Sequence, residues 1–217
     1  MTRVDAPALD IRPWEREDAL VAATRADGRA RCEVYRPGGV AVILGRGGDP
    51  TRELFPAAIA ADGVPVFRRP GGGGAVVLDP GNLVVVLALP LPGLGGIPAT
   101  FRAASDLVIG ALAACGVAGV TQRGTSDLAV GDRKLGGSCL RRERGLAHYA
   151  TTLLVDPDLG LMDRYLPAPP REPDYRAGRP HGAFVTSLRR LGDPRGPGEL
   201  RDDLAGALAL RIPYVHI

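Results

Sequence analysis

The stretch "GAVVLDPGNLVVVLALP", residues 74–90, limits the fold more than any other part of this 217-residue chain. Two runs rich in valine and leucine flank "DPGN", whose aspartate, proline, glycine and asparagine are the residues of a tight reversal. Both runs read as strands, and they are not alone. Upstream, "CEVYRPGGVAVILG" reads as two short strands joined by a Pro-Gly-Gly turn, and "VPVFRR" as a strand running into glycines. Downstream, "VAGVT", "SDLAV" and "HYATTLLV" are strand-like, with "GD" at 131–132 as a hairpin turn. Helical patterns surround this block. One helix is expected around Trp14–Arg25, and a second over "DPTRELFPAAIAADG", with Asp49 as N-cap, Pro50 in the first turn and Gly63 as the stop. "ATFRAASDLVIGALAACG" carries apolar residues at helical spacing and ends on glycine, so it reads as a long helix. After a Pro/Arg-rich loop, "YLPAPPREPDYRAGRPHG", two more helices are expected at Ala183–Leu191 and Gly198–Leu210. Strands in the middle with helices around them predict an α/β or α+β fold, a single sheet with helices on it. The length suits one domain, residues 1–217, with 165–217 packing on the rest.

Charge and cysteine content narrow the class. The formal net charge is +3, and the arginine pairs at 68–69, 141–142 and 189–190 are scattered. No basic cluster interleaved with aromatics appears, which argues against nucleic acid as a partner. Cys32, Cys115 and Cys139 lie far apart, so neither a disulfide framework nor a paired metal-ligand spacing is indicated. The opening "MTRVDAPALDIRPWERED" has no apolar leader core, and no run approaches 18 apolar residues. A soluble cytoplasmic protein, not a membrane protein, is expected.

Two stretches carry chemistry. In "RRPGGGGAVVLDPGN", residues 68–82, four consecutive glycines place the backbone where a ligand can approach it closely. Their unshielded amides can form an anion-binding concavity, with the guanidinium forks of Arg68 and Arg69 at its edge. A strand follows instead of a helix, and no Gly-Lys-Ser/Thr is present, so this is neither a P-loop nor a dinucleotide fingerprint. A loose glycine hairpin with solvated arginines is the plain alternative. The second stretch is "GDRKLGGS", residues 131–138. Of 27 basic residues, Lys134 is the single lysine. Wherever a generic cation would serve, the chain has arginine. A lone lysine therefore marks a position suited to a compact charge on a flexible stem, which can follow a moving phosphate or acyl oxygen.

Together these stretches resemble the lipoate–protein ligase family, within the wider biotin/lipoate ligase and octanoyltransferase fold. "LGRGGDP" is similar to the family's Gly-Arg segment. "RRPGGGGAVVLDPGN" resembles its Arg-Arg-x-Ser-Gly-Gly-Gly-Ala-Val-x-His-Asp-x-Gly-Asn motif, and "GTSDLAVGDRKLGGSCLRR" its Asn-Asp-Leu … Lys-x-x-Gly-Ser-x-x-Arg segment. The resemblance implies an α+β domain with a mostly antiparallel or mixed central β-sheet flanked by helices. It also implies a reaction: lipoate and ATP form lipoyl-AMP, and the lipoyl group passes to a lysine of a carrier. The carrier would be a glycine cleavage H protein-like, 2-oxoacid dehydrogenase acyltransferase-like or more specialised lipoyl protein. By the same resemblance Lys134 is the catalytic residue. Arg69, Gly72, Gly73, Gly74, Ala75, Val76, Val77, Gly137 and Ser138 would hold the adenylate. Asp127 would place the adenylate or its Mg²⁺, Arg141 would line the same pocket, and Arg46 would touch its rim.

The chain departs from the family pattern at several positions. Gly71 stands for Ser, Leu78 for His, Ser126 for Asn, Cys139 for Ala, and Tyr149-Ala150 for His-Gly. Too few residues follow the resemblance for the C-terminal accessory domain of long members. A separate accessory subunit would then supply that role, or the chain would activate lipoate alone, or it would only transfer a ready-made acyl group. In the last case an octanoyltransferase would need a cysteine nucleophile, and Leu146 occupies one family position for it; Cys139 is the nearest thiol and is better read as a small buried hydrophobe. A non-catalytic carrier-binding paralogue is a third reading. Arg176, Arg179 and His181 sit where a segment could close over an anionic ligand or meet an acidic carrier.

Overall fold

The computed structural model describes residues 7–91, 96–143, 145–169 and 171–214. The first six residues lie outside them. Two sheets, not one, carry the strands. A four-stranded mixed sheet has the order β1 (Ile11–Pro13), β4 (Val66–Arg68), β3 (Ala41–Leu44), β5 (Val76–Leu78). A six-stranded antiparallel sheet has the order β2 (Arg31–Tyr35), β6 (Asn82–Pro90), β10 (Leu146–Leu154), β9 (Arg133–Glu143), β8 (Asp127–Val130), β7 (Val120–Arg123). The strand pair around Pro-Gly-Gly and the pair around "DPGN" are each divided between the two sheets. Both turns are sharp, as their residues dictate, yet neither closes a hairpin.

Alternation along β3 explains the layering. Val42 and Leu44 point to a cluster with Leu54, Ile59, Tyr165 and Leu166, which belong to or flank α2 (Pro50–Glu53), α3 (Pro56–Ala61) and α5 (Gly160–Tyr165). Ala41 and Ile43 point the opposite way, against Tyr35, Val84 and Val86 of the larger sheet. The larger sheet's other face carries the main core, covered by α4 (Ile97–Ala114) and α7 (Pro197–Arg211) through Phe101, Val108, Leu112, Leu200, Leu204 and Leu208. Helices, sheet, sheet and helices thus stack in four layers, an α+β arrangement.

Three expectations are corrected. The helix predicted over 49–63 is two short helices, because Phe55 precedes Pro56 and the proline disfavours the α conformation there. The helix expected at Ala183–Leu191 is one turn, α6 (His181–Phe184), followed by extended chain and a 3₁₀ turn at Arg189–Leu191. Finally, α4 is long and apolar enough to cross a membrane, with a mean hydropathy of 1.3 over 18 residues. Its apolar face instead packs on the larger sheet, with Ala104, Val108, Ala111 and Leu112 wholly enclosed.

Candidate active site

One deep cavity opens between the two sheets, bounded by the glycine loop, the start of β9 and the 166–185 segment. The loop, residues 70–75, rests directly on the turn after β3. A Cβ at Gly45 would meet the Gly73 carbonyl oxygen at 1.9 Å, so the "LGRGG" glycine is a requirement of contact. Arg69 lines the cavity, and both arginines hold backbone carbonyls. Arg69 Nη2 donates to the Gly72 and Gly74 carbonyls at 2.8 Å each, and Nη1 to the Ile43 carbonyl at 3.2 Å. Arg68 Nη1 donates to the carbonyls of Gly45 and Gly48 at 3.0 and 2.9 Å. Both guanidiniums therefore staple backbone oxygens and set the loop's shape.

The amides divide likewise. Ala75 donates its N–H to Glu53 Oε2 at 2.8 Å, while Glu53 Oε1 accepts the Asp49 amide at 3.0 Å. A carboxylate of the chain itself thus holds the Ala75 amide that was assigned to the adenylate. Val76 and Val77 belong to β5 and pair with Ile43 and Val42. Among the described residues, the amides of Gly72, Gly73 and Gly74 keep no protein acceptor.

Lys134 owes its direction to an irregularity that composition does not reveal. In β9 the register against β8 slips, so that Leu128 faces Gly136 and Ala129 faces Lys134, leaving Leu135 as the extra residue of a bulge. Regular alternation would put Lys134 and Gly137 on opposite faces of the sheet. With the bulge, Leu135 is buried in the main core and Lys134 shares the cavity face with Gly137. The stem crosses Gly137 so closely that a Cβ there would lie 3.0 Å from Nζ and 3.1 Å from Cε. Nζ pairs with Asp127 Oδ1 at 2.7 Å, and the Tyr175 hydroxyl donates to Oδ2 at 2.9 Å. Ser138 is tied rather than free: its amide donates to the Ser126 carbonyl at 2.8 Å and its hydroxyl meets the Tyr149 hydroxyl at 2.7 Å.

The segment after α5 covers this end of the cavity. The Thr186 amide donates to the Lys134 carbonyl at 2.8 Å and Val185 bridges Lys134, so the segment continues the sheet beside the lysine. Arg171, Arg176 and His181 line the cavity. Arg179 is held by Asp132 at 2.8 Å and by the Tyr175 carbonyl, bracing the segment instead of facing a ligand. Burial and the nearby Arg176 hold the His181 imidazole below the usual histidine range.

Away from Lys134 the cavity runs under α1 (Asp18–Asp27) to Trp14, Glu17, Tyr35, Cys139 and His148. Tyr149, which replaces the family's His, points into the main core. The neighbouring His148 takes the cavity face, so an imidazole is present after all. Arg141 and Arg46 do not line this cavity. They border an adjacent recess with Arg68, Arg69 and Pro70, and Arg141 pairs with Glu143 at 2.6 Å. Nor does Asp127 suit a magnesium ion. Its two oxygens serve Lys134 and Tyr175, and no group of three or more His, Cys, Asp or Glu that could hold a metal occurs among the described residues.

Two layered sheets with a glycine loop and one lysine in the cavity between them define a protein of the biotin/lipoate ligase fold. The chain belongs to the lipoyl protein ligase A/B catalytic domain family, whose model matches residues 12–208. A curated relative from Aeropyrum pernix, named "Putative lipoate-protein ligase A", is 35% identical over 118 residues. That match covers 54% of this chain and 44% of the relative, so the chain spans less than half of that protein's length. Among solved structures, a bi-partite lipoate protein ligase studied with its E2 lipoyl domain from Thermoplasma acidophilum superposes with a TM-score of 0.73 at 20% identity, over 95% of this chain and 81% of that one. A lipoate-protein ligase A bound with ATP gives 0.71 at 18% identity, over 93% and 83%. At these identities the two superpositions establish the fold.

Proposed function

We propose that this chain is an ATP-dependent lipoate–protein ligase of the cytoplasm. A lipoate carboxylate oxygen attacks the α-phosphorus of ATP, giving lipoyl-AMP and releasing pyrophosphate. The amine of a carrier lysine then attacks the acyl carbonyl, forming an amide and releasing AMP and a proton. The observation that carries this reading is the placement of Lys134, turned into the cavity by the bulge and held at its mouth by Asp127. From there its ammonium faces the charge that develops on phosphate and acyl oxygens in both half-reactions. The free amides of Gly72, Gly73 and Gly74 supply donors for the adenylate phosphate. Arg69 and Glu53 act one step back, keeping the loop open in that shape. No step is assigned to a metal held by Asp127.

The carrier is a lipoyl domain of one of the kinds named above, and a separate accessory subunit assists adenylation. The lipoyl domain and the bi-partite make-up of the Thermoplasma acidophilum ligase support the carrier and the separate subunit, and the ATP bound to the lipoate-protein ligase A supports the use of ATP. Acyl transfer without ATP through a thioester is the weaker reading. Cys139 is the cavity's thiol, and burial pushes it above the ordinary thiol range, away from the thiolate a nucleophile needs. Incubating a lipoyl domain with the protein and either lipoate plus ATP or octanoyl carrier protein, and weighing the domain, separates the readings. A mass increase that requires ATP is expected, and Lys134→Arg abolishes it while the protein keeps its circular dichroism spectrum. Modification from octanoyl carrier protein, lost in Cys139→Ala, would refute the ligase assignment. Binding without modification would leave a carrier-binding paralogue.

A further inference from the structure

We propose that His181 is a catalytic base of the carrier half-reaction, accepting the proton that the carrier's lysine amine sheds as its nitrogen bonds to the acyl carbon. The inference rests on acyl transfer from an adenylate at the Lys134 end of the cavity. Backbone pairing brings the imidazole there. Val185 bridges Lys134, and the Val185 amide donates to the His181 carbonyl at 2.9 Å, one turn back in α6. His181 lines the cavity, and its side chain is only 14% exposed. Its Nδ1 lies 3.1 Å from Asp163 Oδ1 on α5. A carboxylate only accepts, which assigns the hydrogen to Nδ1 and leaves the lone pair on Nε2. Among the described residues, Nε2 has no partner.

The cavity's other proton acceptors are engaged or distant. Asp127 gives one oxygen to Lys134 and the other to Tyr175. Glu17 accepts from Trp14 and Tyr35, and His148 stands opposite Arg141, toward the other end of β9. The charges around His181 suit a base. Asp163 of α5 faces Nδ1, while Arg176 of the 3₁₀ turn Asp174–Arg176 and Lys134 of β9 are the cations acting on the ring; Arg190 reaches only the Gly182 carbonyl. Burial, then the two cations, outweigh Asp163, so the imidazole is neutral at neutral pH and ready to accept. The same cations disfavour an ammonium beside them and so promote the neutral amine of an incoming lysine. As the C–N bond forms, that nitrogen becomes positive and acidic. Nε2 takes its proton, the bond from the acyl carbon to the phosphate oxygen breaks, and AMP leaves with the electron pair. Asp163 stabilises the imidazolium, which then releases its proton to water.

Single-turnover transfer from synthetic lipoyl-AMP to an unlipoylated E2 lipoyl domain isolates this half-reaction, while calorimetry on the full chain reports its affinity for lipoyl-AMP. In His181→Gln the transfer rate is expected to fall about a hundredfold, within the range of general-base catalysis, with lipoyl-AMP affinity unchanged. The parent's rate should fall along an acid limb below the usual histidine range, and the variant should lack that limb. Asp163→Asn keeps an acceptor for Nδ1 but removes the charge that raises the imidazole's pKa, so its acid limb should move to lower pH. Near-parent transfer by His181→Gln, or a loss matched by equally weakened lipoyl-AMP binding, would overturn the base role. So would an unmoved limb in Asp163→Asn, whether or not the histidine variant folds. A parent chain that transfers nothing from lipoyl-AMP would instead overturn the acyl-transfer reading, and this inference with it.

Discussion

Gly71→Ser restores the residue usual in the family, and it is expected to destabilise this protein. A Cβ at position 71 would meet Cys139 Sγ at 2.9 Å and its Cβ at 3.1 Å. Cys139 cannot easily retreat, since it sits within β9, paired with Ala150 of β10. Overpacking of this kind costs about 1–3 kcal/mol. For a chain of this length each kcal/mol lowers Tm by about 2–4 °C. The family also has Ala where this chain has Cys139, so the two departures are one exchange of volume across a single contact. Cys139→Ala alone forfeits the burial of one sulfur, on the order of 1 kcal/mol. In the double variant the closest clash vanishes and the remaining 3.1 Å approach needs a shift of a few tenths of an ångström. Equilibrium urea unfolding of the four proteins gives the coupling energy, expected at about 0.5–3 kcal/mol in favour of the pair. Additivity within about 0.3 kcal/mol, or a Gly71→Ser variant as stable as the parent, would refute the steric account.

Three further outcomes follow from the same geometry. Gly137→Ala displaces the flexible stem of Lys134 without touching the core, so acyl transfer should fall at least tenfold while Tm changes little; near-normal turnover would mean that the lysine tolerates a different path. His148 is held down to about 4 by burial and by Arg141. The native state therefore binds fewer protons than the unfolded one between about pH 6.5 and 4, and stability is lost as pH falls through that window. From pH 7.5 to 5 the loss from this group is about 2 kcal/mol, and urea titrations of His148→Leu should show the acid slope reduced by that amount. Tyr175→Phe removes the hydroxyl that donates to Asp127 and so loosens the covering segment; limited proteolysis at 167–180 should quicken, and KM for ATP should rise more than kcat falls.

How much of this was legible in the sequence differs from element to element, for physical reasons. The long helix, the valine-rich strands and both sharp turns were legible because each depends on local side-chain pattern. Partner choice was not. The Pro-Gly-Gly and "DPGN" turns promise reversal, and nothing local says that the chain leaves one sheet for another. The strand β9 was not anticipated, since "RKLGGSCLRR" lacks β-branched residues and doubles a glycine. Its glycines are nonetheless demanded by the sheet: a Cβ at Gly136 would meet the Thr152 carbonyl at 2.4 Å, and one at Gly137 would press on the lysine. Composition singled out Lys134 and the glycine loop, and both border the cavity. The structural part played by the loop's arginines was not legible, because a guanidinium that could grip phosphate can equally hold carbonyls, and only the folded chain brings those carbonyls to it. The aim of Lys134 was the least legible feature. Strict alternation turns it away from Gly137, and one extra residue, Leu135, reverses that by entering the core in its place. A bulge is a property of two strands in register, so a chain read one residue at a time names the lysine and cannot say where it points.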